Sequence, residues 1–307
     1  MTCYLFPGQG AQYPGMGYEL YEHSKEVRLF FEEASDSSGK NFARLLFEGS
    51  EEELRCTENT QIAVTLVNLA SSRVLAERGI IPSICAGFSL GEYSALYQAG
   101  VIERSDLFSL VQLRGEAMER ASRALDSPEG SPGMMAVIGL EIDSVENAIK
   151  DIDSIYIANH SSPSQVVLSG VYKAMSIAEE RLKEVGAMKI VRLKVSGPFH
   201  SPLMAAAKEE FSEHIANIHF SDPTISVFVN VTGEALGSGE DARKYCLDQL
   251  ISPVQWVASE FGIMGLTPER VLETGPGTVL SGLWKSLRNG LKCEAAGTLE
   301  SINKLAV

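Results

Sequence analysis

A chain of 307 residues is long enough for two domains of about 150 residues each, or for one large α/β unit carrying an insert. Hydrophobic residues make up 45 % and charged residues 21 %, a composition that excludes disorder and supports a sizeable core. The 26 Lys+Arg against 40 Asp+Glu leave a net charge of −14, which repels nucleic acid and anionic lipid and excludes both as general partners, so an anionic substrate has to be caught by a few local positive groups.

In chain order, residues 2–6 are short and β-rich, and the turn Pro7-Gly8-Gln9-Gly10 stops them. The spacing of Ile62, Leu66, Leu69 and Val74 predicts a helix over 59–78, closed by Gly79 as its C′ glycine. An apolar run of strand length follows at 80–86, then helices over 90–99 and about 105–121. Strand, helix, strand in this order predicts a parallel sheet with helical crossovers. Residues 126–133 (Asp-Ser-Pro-Glu-Gly-Ser-Pro-Gly) form the densest cluster of breakers and mark a domain junction. Beyond it the pattern is strand 134–140, helix 144–149, strands 155–158 and 165–169, helix 173–185 and strand 189–195. This β-α-β-β-α-β order is ferredoxin-like and too small to be the main body, so 126–195 is expected to be an inserted subdomain. Residues 1–125 and 196–307 then form the α/β core. In its second part the core has helix 202–215, strand 225–230, helices near 242–250 and 254–261, strand 270–273 and helix 278–287. The five cysteines are odd in number, widely spaced and without a C-x-x-C pair, which suits reduced thiols. No apolar run reaches the ~20 residues of a membrane span, and Met1 leads straight into a strand without a basic leader. A soluble, cytoplasmic protein with no membrane partner is expected.

Gly87-Phe88-Ser89-Leu90-Gly91 fits G-x-S-x-G, in which a nucleophilic serine sits on a sharp strand-to-helix turn. The strand before it and the helix after it are the context that the motif needs. Ser89 would lie at a helix N-terminus, where free N–H groups and the helix dipole favour a developing oxyanion. Of the five histidines, His200 is the candidate base: it stands in a loop entering a helix, with Ser201 at the N-cap and Pro202 at N1. A helix N-terminus disfavours imidazolium and keeps such a histidine neutral. His23, His214 and His219 fall in polar or amphipathic stretches, and His160 suits a structural hydrogen bond. Arg114 falls on the apolar stripe of its helix with Leu107, Leu110, Val111 and Met118. There it must snorkel, pair with a buried acid, or face a cavity that receives an anion. A guanidinium binds a carboxylate through two parallel hydrogen bonds. The Gly8–Tyr13 turn is not a dinucleotide loop, because the third glycine of G-x-G-x-x-G falls at Tyr13, and no P-loop Lys-[Ser/Thr] follows. No cluster has metal-ligand spacing, so no metal is expected.

Together these segments resemble the malonyl-CoA:acyl-carrier-protein transacylase family over nearly the whole chain. The resemblance rests on Phe6-Pro-Gly-Gln-Gly-Ala-Gln12, Gly87-Phe-Ser-Leu-Gly-Glu-Tyr-Ser-Ala95, Arg114-Gly115, Asn159 with Ser162-Pro163 and Gln165, Gly197-Pro-Phe-His-Ser201, Pro253-Val-Gln-Trp256 and Glu273-Thr-Gly-Pro-Gly277. It implies a hydrolase-like core with a ferredoxin-like insert. It implies Ser89 as nucleophile, His200 as base, the N–H groups of Gln9 and Leu90 as oxyanion hole, Arg114 as partner of the malonyl carboxylate, and Asn159 and Phe199 at the substrate. It also implies that a main-chain carbonyl at Gln255 orients His200. Phe88 departs from the histidine usual before the serine, Ser161 stands where asparagine is common, and Thr278 where lysine is common; Phe199 resembles malonyl-preferring members.

The expected reaction is a ping-pong transfer of malonyl from malonyl-CoA, through a malonyl-serine, to the phosphopantetheine thiol of an acyl carrier protein, with no cofactor. An esterase or editing hydrolase would share Ser89 and His200 but has no use for a cation in the acyl pocket. A non-catalytic docking module would not keep an intact Ser/His pair. Carrier proteins are acidic, so docking needs a local basic patch. Lys183, Lys189, Arg192 and Lys194 form one candidate, and Lys285, Arg288 and Lys292 another.

Overall fold

The computed structural model describes residues 1–305. Its strands in chain order are β1 (Thr2–Phe6), β2 (Ile84–Gly87), β3 (Gly133–Ile138), β4 (Ile155–Ser162), β5 (Gln165–Gly170), β6 (Lys189–Arg192), β7 (Ser226–Phe228), β8 (Arg270–Glu273) and β9 (Cys293–Ala295). They form two sheets. One is a parallel sheet in the order β7-β2-β1-β8-β9, and the other an antiparallel sheet in the order β4-β5-β3-β6.

The parallel sheet is covered on both faces, which is why its inner strands β1 and β2 read as apolar runs without polar alternation. Tyr4, Phe6 and Cys85 face the helix Thr57–Glu77, and Cys3, Leu5, Ile84 and Val271 face Trp256, Leu280 and Trp284. That helix is buried nearly all round, and it ends as its sequence predicts: Gly79 has φ +75°, and the Ile80 N–H bonds back to the Leu75 carbonyl. The chain leaves β1 for β2 on one side and reaches β8 on the other, so the sheet has a topological switch beside β1. In open parallel sheets, ligands bind outside the carboxyl ends of strands at such a point.

Several expected bounds move. The strand over 80–86 contracts to Ile84–Gly87 because Gly79 and Pro82 hold the residues before it in a turn. The helix over 202–215 opens as a 3₁₀ turn, Pro202–Met204, before the α-helix Ala205–Ile215. Strand 225–230 contracts to β7, which releases Asn230 from the ladder. The helices Tyr18–His23, Lys25–Ser38, Phe42–Glu48, Glu51–Arg55 and Leu299–Asn303 and strand β9 lie outside the elements expected from sequence.

The antiparallel sheet, with helices Ile142–Ile149 and Tyr172–Glu184, has its own core of Met135, Val137, Val145, Val166, Leu168 and Leu182. It is tied to the parallel sheet's end of the molecule by a bridge between Asn159 and Val254, with His160 N to Val254 O at 3.0 Å and Val254 N to Ala158 O at 2.8 Å. Irregular register along β4 at 157/159 and 160/162 frees that edge for the bridge.

Candidate active site

Ser89 follows β2 directly, with φ +52°, in a turn that only glycine neighbours permit. A Cβ on Gly87 would lie 2.0 Å from the Gly91 carbonyl, and one on Gly91 would lie 2.0 Å from the Phe6 carbonyl oxygen. The turn therefore packs its backbone onto the ends of β1 and β2 and lifts the Ser89 side chain clear. Gly8 comes equally close from the loop after β1, where a Cβ would lie 2.3 Å from the Phe88 carbonyl and 3.5 Å from Leu90 N. The Gln9 loop is thus pressed against the serine turn. Asn68 pins it by donating to the Pro7 carbonyl at 3.0 Å. Among the described residues no acceptor is bonded to the N–H of Gln9 or of Leu90.

His200 Nε2 lies 2.7 Å from Ser89 Oγ, and its Nδ1 lies 2.8 Å from the Gln249 carbonyl. A carbonyl only accepts, so Nδ1 carries the proton and Nε2 is left to accept the serine's. Burial, and secondarily the Arg114 charge, push the imidazole pKa down to about 4, so the ring is neutral and ready as a base at physiological pH. The carbonyl expected at Gln255 is not the one that orients it. Gln255 heads the helix Trp256–Gly265, and its carbonyl is taken by the Ser259 N–H of the first turn.

Arg114 is fully buried. Its Nη1 donates to Gln61 Oε1 at 2.8 Å, its Nη2 to Gln249 Oε1 at 3.0 Å and, at 3.5 Å, to Ser89 Oγ. The Tyr93 ring lies 5.4 Å from the guanidinium, while Nε has no partner. Among the described residues no carboxylate comes within 4.0 Å of it, so of the three fates open to an arginine on an apolar stripe, snorkelling and ion pairing are both absent. A buried cation held only by neutral oxygens, beside a serine–histidine pair, keeps N–H donors that can receive an anion.

The chain matches the acyl transferase domain family over residues 3–303. It belongs to that family. Curated relatives named malonyl CoA-acyl carrier protein transacylase are 36 % identical over 304 residues in Bacillus subtilis (98 % of this chain, 94 % of the relative) and 38 % identical over 307 residues in Haemophilus influenzae (97 % and 96 %). Among solved structures, an acyl carrier protein S-malonyltransferase from Vibrio cholerae superposes with a TM-score of 0.93 at 36 % identity, covering 98 % of each chain. A malonyl-transacylase in complex with its type II polyketide acyl-carrier protein matches with a TM-score of 0.93 at 37 % identity, covering 98 % of this chain and 97 % of that one.

Asn159 and Phe199 are both buried near this centre's seam with the antiparallel sheet. Asn159 Oδ1 is without a hydrogen-bond partner, and the Phe199 carbonyl accepts from Ser169 Oγ. Phe88 packs edge-on against Trp256, ring centroids 5.3 Å apart, in the apolar layer on one face of the sheet. A cavity of about 590 Å³ reaches His200 between Ile155, Ile157, Pro202, Ile251 and Pro253. His160 sits in β4, not in a loop.

Four site residues escaped the sequence reading. Asn230 accepts from Ser89 N at 2.7 Å and donates to the Gly87 carbonyl at 2.6 Å, clamping the serine turn from both sides. Its own N–H goes to Glu92, a fully buried acid whose carboxyl is pushed up to about 7 by burial against the opposing pull of that N–H and of Arg114. Gln249 touches all three reactive groups: its carbonyl holds His200, its Oε1 accepts from Arg114, and its Nε2 donates to the Ser89 carbonyl at 3.1 Å. Gln61 is the fourth. A signal existed for Asn230, a polar residue just past the carboxyl end of a parallel strand. For Gln61 and Gln249 it was weaker: each is a lone amide at an otherwise buried position.

Proposed function

We propose that the protein transfers a malonyl group from malonyl-CoA to the phosphopantetheine thiol of an acyl carrier protein. The observation that carries this reading is the buried, acid-free Arg114 beside the Ser89–His200 pair. His200 Nε2 takes the Ser89 proton as Oγ attacks the thioester carbonyl. The oxyanion is met by the N–H groups of Gln9 and Leu90, which is supported by their freedom from other acceptors and by the closeness of the Gly8 loop to Leu90. CoA leaves as thiol with the proton returned by His200. The carrier-protein thiol then loses its proton to the same nitrogen and attacks the malonyl-serine, regenerating Ser89. Arg114 pairs with the free carboxylate throughout, and Asn159 Oδ1 and Phe199 border the substrate. No cofactor enters any step. A hydrolase of the same architecture would gain nothing from a cation in the acyl pocket.

The same reading assigns 126–195 as a ferredoxin-like insert and 1–125 with 196–307 as a hydrolase-like core, supported by the β-α-β-β-α-β order of the antiparallel unit and its separate apolar core. It places the protein in the cytoplasm; no described helix is long and apolar enough to cross a membrane. For docking an acidic carrier protein, the C-terminal cations are the better candidate. Lys183 and Arg192 share Glu179, at 2.7 and 3.2 Å. Lys285, Arg288 and Lys292 are in no ion pair among the described residues and border a groove of about 670 Å³ floored by Trp284 and Leu291.

The test is intact-protein mass spectrometry after mixing with malonyl-CoA alone. One malonyl group is expected on the wild type and none on Ser89→Ala; an adduct on the variant, or none on the wild type, refutes the mechanism.

A further inference from the structure

We propose that Gln61 and Gln249 set the acyl specificity of this site by gripping Arg114 with neutral oxygens, which leaves the guanidinium charge uncancelled for the substrate's carboxylate. The inference rests on the reading of Arg114 as the carboxylate receptor and adds what keeps that receptor charged and open.

Buried arginines are ordinarily neutralised by an acid, because an unpaired buried charge is costly. Here both terminal nitrogens are fixed by amide oxygens, at 2.8 Å from Gln61 and 3.0 Å from Gln249. Glu92, the acid that feels the Arg114 charge, has one oxygen committed to the Asn230 N–H. An arginine has five N–H donors. The two amides take one from each terminal nitrogen and Ser89 Oγ meets a second on Nη2 at 3.5 Å, so one donor on Nη1 and the Nε–H stay available.

The amides cannot simply turn round. Gln249 Nε2 donates to the Ser89 carbonyl, which accepts only, so Oε1 has to face Arg114. Arg114 can only donate, which sets Gln61 Oε1 toward it and leaves Gln61 Nε2 pointing to Gln9 Oε1 at 3.4 Å. Gly115 is part of the arrangement: a Cβ there would lie 2.7 Å from Gln61 Cγ, so the glycine after Arg114 is the gap through which Gln61 reaches the guanidinium. Glutamine is thus used where glutamate would fit by shape. A glutamate at either position would form an internal ion pair with Arg114 and repel an incoming carboxylate.

The experiment compares kcat/KM for Ser89 acylation by malonyl-CoA and by acetyl-CoA, read by rapid-quench mass spectrometry, in wild type, Gln61→Glu, Gln61→Leu and Arg114→Ala. Gln61→Glu is expected to lower the malonyl-to-acetyl ratio about 100-fold or more, as loss of a charge-assisted pair implies. Any fall in acetyl kcat/KM should be much smaller than the fall in malonyl kcat/KM. Gln61→Leu, which removes the same oxygen without adding charge, is expected to keep the ratio within about tenfold of wild type. Should Gln61→Glu fold poorly, as circular dichroism would show, Gln249→Glu adds the charge at the other nitrogen, with Gln249→Leu as the control for the hydrogen bond to the Ser89 carbonyl that both variants lose. An unchanged ratio in the folded glutamate variants overturns the proposal, as does an equal fall in Gln61→Leu, which would mean that geometry and not charge is at stake. If Arg114→Ala keeps the wild-type preference, the parent reading of Arg114 fails. If Arg114→Ala loses the preference while the glutamate variants retain it, only the glutamine proposal fails.

Discussion

Acid should leave the first half-reaction almost untouched far below the pH at which an ordinary histidine stops working as a base. Burial is the main cause of the low His200 pKa, with the Arg114 charge second, and together they bring it to about 4. At pH 5 such a ring is still about nine-tenths neutral, whereas one at the unperturbed ~6.5 would be only ~3 % neutral, a difference of about 30-fold in competent enzyme. The assay is rapid-quench mass spectrometry of malonyl-enzyme formation from pH 8 to 4.5, with folding followed by circular dichroism at each pH. The kcat/KM profile should be flat to about pH 5 and bend only below it. A second effect separates the two causes. A malonyl carboxylate seated on Arg114 offsets the field that helps to hold His200 neutral, so the acidic limb of kcat should lie at higher pH than that of kcat/KM. Acetyl-CoA brings no carboxylate and should show no such displacement. A kcat/KM limb near 6.5, or equal displacements for both substrates, would refute this account of the site's electrostatics.

Arg114→Ala should lose two charge-assisted hydrogen bonds to the malonyl carboxylate, each worth about 1.5–3 kcal/mol, so malonyl kcat/KM should fall roughly 10²–10⁴-fold while acetyl transfer holds or rises; parallel losses on both substrates would make Arg114 structural. Reversing the charge of Lys285 and Arg288 together should raise KM for carrier protein and leave acylation by malonyl-CoA intact, and unchanged carrier kinetics would remove that face as the dock. Glu260 is buried with its pKa pushed up to about 8 by burial, against the Trp256 N–H that it accepts. Between the usual carboxylate range and pH 8 the folded chain keeps a proton that the unfolded chain has released, so stability falls as pH rises, by up to about 1.4 kcal/mol per unit. The melting temperature of Glu260→Gln should therefore gain on wild type between pH 5 and 8, and parallel melting curves would contradict this.

Much of the fold was legible because its signals are local. The Gly79 cap and the apolar run of β1 each state their structure within a few residues. The region before the helix Thr57–Glu77 was not read, for two different reasons. Helix Lys25–Ser38 carries Val27, Phe30, Phe31 and Ala34 at helical spacing, a plain signal outside the elements assigned from sequence. Its neighbours Phe42–Glu48 and Glu51–Arg55 are too short to show periodicity and declare themselves only by caps, Asn41 and the Ser50–Glu53 capping box. In the site, Ser89, His200 and Arg114 stand out by residue type and setting, and the fold brings the three together. Gln249 and Asn230 act through hydrogen bonds to residues 49 or more positions away, several of them main-chain groups, which no short window of sequence contains. The same blindness explains Gln255, since a carbonyl has no residue signature and only the folded loop shows which one meets the imidazole.

Ser89 and His200 share one further property: both hold left-handed backbone angles, φ +52° and +58°, that side-chain-bearing residues disfavour. Each such residue stores on the order of 1–3 kcal/mol. The two members of the proposed proton-transferring pair are therefore also two of the places where this chain is least relaxed. Selection for thermal stability alone would favour glycine at either position, which relieves the strain and removes the side chains that the proposed reaction uses. A laboratory search for sturdier variants has to screen for turnover at every round, because easy gains lie at the two residues proposed to carry the reaction.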